Sequence, residues 1–113
     1  MKATEFRIGN LVLWQNEIAC IAQILELEVV FKCGDIGFIK DCQPIQITKD
    51  WLLKLGFEET EFCFRLGTFF LTKSKQAERF FYQDYKNRFI VMHVHQLQNL
   101  YFALYEEELI FNN

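Results

Sequence analysis

The stretch from Val94 to Leu109, VHQLQNLYFALYEEEL, constrains the fold more than any other part of this chain. Leu97, Leu100, Tyr101 and Leu104 fall at i, i+3, i+4 and i+7, which makes one apolar stripe on a helix. A short amphipathic helix draws most of its stability from burying that stripe, so the rest of the chain must supply an apolar surface. That surface reads as β-sheet. Thirteen Phe, four Tyr and two Trp are present, and flat rings suit a pleated, half-buried face. With 113 residues, 51% of them apolar, the chain is long enough for one domain with a real core.

Along the chain, Arg7 to Trp14 predicts a first strand entered through a turn, and Gln15-Asn16-Glu17 a hairpin connection. Ile18 to Leu25, Glu28 to Lys32 and Ile36 to Lys40 are three further strands, with turn chemistry at Cys33-Gly34-Asp35 and Asp41 to Pro44. Short strands and tight turns over these residues predict a curled sheet or SH3-like barrel. The period then changes. Thr48 can cap a short helix that Gly56 closes, with Asp50 in its first turn. From Phe57 the chain is strand-rich again: Phe62, Phe64 and Leu66 alternate with Cys63 and Arg65, and Phe62 to Leu66, Phe69 to Thr72, Phe80 to Asp84 and Phe89 to Val94 read as strands. His95 to Tyr105 is the second helix, and Leu109, Ile110 and Phe111 could add an edge strand. The reading is α+β in a single domain 1–113. An N-terminal small SH3-like β-lobe (1–47) leads through a linking helix (48–56) to an antiparallel β-meander packed by a C-terminal amphipathic helix (57–113).

Three blocks carry a resemblance: FRIGNLV at 6–12, WLLKLGF at 51–57 and HQLQNLYFAL at 95–104. In order and spacing the chain resembles small uncharacterised proteins of phages and integrated mobile elements of gut and related anaerobic bacteria. The resemblance implies a genetic context. It implies no activity and carries over no catalytic residues.

The chain offers little to an enzyme, which needs a nucleophile, a base or a metal at workable geometry. Ser74 is the only serine and lies between two lysines. Three of the cysteines, Cys20, Cys33 and Cys63, sit among apolar neighbours, and with Cys42 they form no C-x-x-C pair. Buried thiols in a reducing compartment are the plain reading. On a strand His93 and His95 would share one face, which suits a metal or a proton relay; the plainer reading puts His95 near a helix N-terminus with His93 half-buried or exposed. The carboxylates Glu58, Glu59 and Glu61, and Glu106 to Glu108, point different ways on any regular element and read as solvated surface. The second group, at a helix end, either stops the helix or faces a basic partner. A non-enzymatic protein without cofactor, metal or small-molecule substrate is expected. No apolar run is long enough to span a membrane, and the N-terminus lacks a signal-peptide core, so a cytoplasmic protein of the bacterial host cell is expected.

Binding remains. The net charge of −3 disfavours a dedicated duplex-DNA binder. Between Phe62 and His95, however, six basic residues (Arg65, Lys73, Lys75, Arg79, Lys86, Arg88) meet only Glu78 and Asp84. Aromatics interleave with them, Tyr82 and Tyr85 among them, as in sheets that stack bases and hold phosphates. The alternative is a Phe-rich core with ordinary lysines above it. These eight cationic and tyrosyl residues are the candidate partner- or RNA-binding set. With the mobile-element resemblance, they predict an anti-CRISPR-like inhibitor of host defence, binding an RNA-guided CRISPR nuclease, its guide RNA or both. A nucleic-acid-binding accessory protein of a phage or mobile element is the alternative.

Overall fold

The computed structural model describes residues 6–74, 79–84, 87–109 and 111. Four strands, β1 (Leu11–Trp14), β2 (Glu17–Ile24), β3 (Glu28–Phe31) and β4 (Ile36–Phe38), form an antiparallel sheet in chain order. Gln15 and Asn16 both take positive φ, 53° and 64°, in the two-residue turn that joins β1 to β2. That handedness matches the twist of the paired strands. A register shift between Ile21 and Gln23 bends β2 and curls this sheet into a half-barrel. Inside it lie Phe6, Val12, Ile21, Val29, Phe31, Ile39 and Cys42. Trp14 tilts over Phe31 at 4.8 Å and lies flat against Gly37, where any side chain would collide with the indole.

The first and fourth strands are shorter than the sequence reading has them. The first begins at Leu11, because Arg7 to Asn10 close a tight turn: the Asn10 amide donates to the Arg7 carbonyl at 3.0 Å, and Gly9 takes φ +98°. The fourth ends at Phe38, where Ile39–Asp41 wind into a 3-10 turn.

Helix α1 (Lys49–Lys54) starts as expected, with the Thr48 hydroxyl accepting from the Trp51 amide at 3.3 Å. Leu52 and Leu55 are buried, and Trp51 packs against Phe111 at 4.9 Å. The second sheet runs β5 (Glu58–Glu59), β6 (Cys63–Leu66), β7 (Phe69–Lys73), β8 (Phe80–Asp84) and β9 (Asn87–Val91), again antiparallel in chain order. Helix α2 (Val94–Tyr105) follows and ends where Glu106 turns left-handed at φ 55°. Beyond that turn Leu109 buries itself against the larger core without forming a strand.

The larger core lies between the two sheets and the two helices. It joins Leu11, Ile45, Leu52, Phe64, Phe69, Leu71, Val91 and Leu97, residues from both halves of the chain. The helical stripe is only partly right: Leu97 is buried, Leu100 and Tyr101 are half-buried, and Leu104 is 45% exposed. The helix sinks its first turns instead, burying Val94, His95 and the polar Gln98.

The halves are also joined by backbone. Gln43 exchanges hydrogen bonds with Leu13 of β1 (2.8 and 2.9 Å), and three residues later Gln46 bridges to His93 beyond β9. The segment from Gln43 to Ile47 is thus shared between the sheets.

Candidate interaction face

The second sheet has two unlike faces, set by the period of two along each strand. Phe64, Phe69, Leu71, Phe80 and Val91 point into the core. Arg65 and Phe70 stand opposite one another on the other face, as do Thr72 and Phe81, and Phe81 and Ile90. Both helices pack on the inner side, so the outer face is bare among the described residues. Phe70 is 51% and Ile90 49% exposed there.

Two of the predicted cations belong to this face. Arg65 pairs loosely with Glu58 of the edge strand at 3.6 Å, both side chains well exposed. Arg88 lays its guanidinium over the Phe81 ring, 4.1 Å from the centroid, an attraction of about 0.5–1 kcal/mol at an exposed site. Arg79, exposed just before β8, borders an open cavity of about 620 Å³ together with Pro44, Gln46, Ile90, Met92 and His93.

Two other predicted residues belong elsewhere. Lys73 sits at the inner edge, 2.9 Å from Glu59 and 5.0 Å from the Phe64 ring. Glu59 also holds Lys49 of α1 at 3.0 Å, and hydrogen bonds from both lysines draw its pKa below the ordinary carboxylate value. Lys73 therefore ties the sheet to α1. Tyr82 stacks on Phe69 at 5.2 Å with an interplanar angle of 13°, and on Phe89 at 6.5 Å, so its ring lies on the core side. Lys75, Tyr85 and Lys86 lie outside the described residues. The basic and aromatic residues read together from the sequence are thus divided between two faces. Phe70, Phe81 and Ile90 lie outside the candidate set, although Phe70 and Phe81 are among the aromatics interleaved with its cations and alternation from the inward Phe80 places Phe81 outward.

The remaining polar residues of interest hold the fold together. Arg7 forms a two-pronged pair with Glu108, donates from Nε to Asn99 Oδ1 at 3.0 Å, and stacks over Phe102 at 4.3 Å. Asn10, wholly buried, donates to the same Asn99 oxygen at 2.8 Å. Gln98 accepts from the Leu11 amide at 2.9 Å and donates to the Gly9 carbonyl at 3.1 Å. The RIGN turn and the QLQN helix start are therefore one clasp, and Glu108 faces a basic partner within the chain itself.

Among the described residues no group of three or more His, Cys, Asp or Glu is placed to hold a metal ion. Burial pushes the Cys20 and Cys42 thiols above their ordinary pKa, which keeps them protonated and poorly nucleophilic at neutral pH. Cys33, expected to be buried, is instead exposed on the turn before β4, and Cys63 shares a tight turn with the Thr60 hydroxyl. The His93 and His95 rings stack 5.7 Å apart at the start of α2, and His95 is buried edge-on against Phe6. No helix among the described residues is long and apolar enough to cross a membrane. No family model, curated protein or solved structure matches this chain.

Proposed function

We propose that the protein is a non-enzymatic, anti-CRISPR-like inhibitor carried by a phage or mobile element, acting in the cytoplasm of the bacterial host. Its partner on this reading is an RNA-guided CRISPR nuclease, its guide RNA or both. The observation that carries the proposal is the bare outer face of the second sheet, where Arg65 and Arg88 stand among Phe70, Phe81 and Ile90. Exposed rings and arginines are the residue types that dominate binding hot spots. They are also the types that stack bases and hold phosphates. The resemblance of the RIGNLV, WLLKLGF and HQLQNLYFAL blocks to mobile-element proteins supplies the context.

A second reading is a nucleic-acid-binding accessory protein built on an SH3-like first lobe. It is favoured by the 3-10 turn at Ile39–Asp41, followed by return of the chain to β1 at Gln43.

A tagged pull-down from a CRISPR-bearing bacterial lysate, with and without RNase, separates the two. Stoichiometric recovery of one RNA-guided nuclease, lost in an Arg65→Glu/Arg88→Glu variant, supports the inhibitor. Recovery of heterogeneous nucleic acid alone, released at moderate salt, supports the accessory protein.

A further inference from the structure

Resting on that reading of the outer face, we infer that the partner's contact includes an extended acidic peptide segment that pairs with the free edge of β9. Strand β9 is the last strand of its sheet. Its ladder to a neighbour begins and then stops. Ile47 donates to the Met92 carbonyl at 2.9 Å, Val94 donates to the Ile45 carbonyl at 2.8 Å, and Gln46 stands opposite His93. One residue later the neighbouring chain peels away, because Thr48 leaves to cap α1.

In an antiparallel strand, alternate residues present their amide and carbonyl to the same side. The Met92 carbonyl faces the Ile45–Ile47 segment, so Ile90 and Arg88 present their backbone groups to that same side, beyond the point where the segment departs. Among the described residues nothing pairs with them there. An exposed row of this kind is a template for strand addition. A peptide continuing the line of Ile45–Ile47 would extend the ladder along Ile90 and Arg88, beyond the Met92 amide that the Gln96 side chain holds at 3.0 Å.

The surroundings define the peptide. The cavity beside this edge has Ile90, Met92 and Pro44 in its lining, which suits an aliphatic side chain of the incoming strand. Arg79 borders the cavity and Arg88 lies on the edge strand itself, so both ends of the added strand meet positive charge. Acidic residues flanking an apolar one fit this pattern. A long polyanion fits it less well, because the whole chain carries −3 and, among the described residues, His93 is the single aromatic ring lining the cavity.

The test is a titration of the isotope-labelled protein, followed by amide NMR and hydrogen exchange. One probe is a peptide of alternating glutamate and valine, about ten residues long, the length of a long strand. The other is an oligouridine of similar length. The expected result is that the peptide shifts the amides of Arg88 and Ile90 and slows their exchange. Ile90→Pro removes an outward amide without touching the ladder to β8. It should weaken the peptide by about tenfold or more, the effect of deleting one well-placed main-chain hydrogen bond. The same peptide with alternate amides N-methylated, added to the unaltered protein, gives this reading without any substitution and should not bind. If oligouridine shifts Arg65, Phe70 and Phe81 while the peptide leaves Ile90 unmoved, strand addition is overturned and the outer-face reading survives. If neither probe moves the edge or the face, both are overturned.

Discussion

Arg7 and Arg88 each lie over a phenylalanine ring, at 4.3 and 4.1 Å, yet the rest of their surroundings differ. Arg7 covers Phe102 with its hydrogen-bonding groups engaged by Glu108, Asn99 and the Ile8 carbonyl. Arg88 covers Phe81 and meets no acceptor among the described residues. The first is consumed by the fold. The second is held in place with its donors still available, which is the condition for recognising something else. The FRIGNLV and HQLQNLYFAL blocks thus meet in the clasp, where their polar residues have a structural task. On the proposed reading, a specialised role belongs outside them, on the second sheet.

Five substitutions would break or sharpen this contrast. The largest effect is expected from Leu97→Ala, which empties a fully buried site between the sheets and should cost about 2–5 kcal/mol in denaturant unfolding. Leu100→Ala, at a half-buried site, should cost less, and equal losses would mean that the helix packs differently. Next comes Asn99→Ala, which strands the buried Asn10 amide and releases Arg7. About 1–3 kcal/mol should be lost, with binding by the outer face unchanged in the variant that remains folded. Third, Arg88→Glu should cost no more than about 1 kcal/mol, the attraction to Phe81 that it gives up, while abolishing partner capture. A large fall in melting temperature would make Arg88 another structural arginine and remove the contrast altogether. The smallest effect concerns Glu59. Its pKa is lowered in the folded protein, so the stability from its lysine pairs is complete above the ordinary carboxylate pKa. That stability drains away as pH falls through the lower folded value. Melting curves taken down through that acid range should show a shallower decline for Glu59→Gln than for the parent.

The order of strands and helices was legible because each signal was local. Alternation marked β6, runs of branched or aromatic residues marked β2, β3 and β8, and Thr48 and Gly56 bracketed α1. The two-sheet α+β architecture with a C-terminal helix follows from those signals. Strand ends were less legible where a turn borrowed residues, as Arg7 to Asn10 did from β1. The site was harder still. Choosing residues by type joined Lys73 and Tyr82 to Arg65 and Arg88, whereas the pleat sends the first two toward the core side. Parity along β8 carried that information. The clasp could be read only in three dimensions, since its hydrogen bonds span almost the whole chain. Gln98 and Asn99 beside the buried Leu97 were nonetheless a sign that polar groups there had partners.

The shared segment from Gln43 to Ile47 has a mechanical consequence. Each sheet borrows the same few residues to finish one of its borders, so neither can come apart without releasing a border of the other. Opening one half exposes unpaired backbone in both, and the free energy of partial opening approaches that of complete unfolding. A chain joined in this way is expected to melt as one cooperative unit, with both sheets lost in a single coincident transition when each is followed by its own probe.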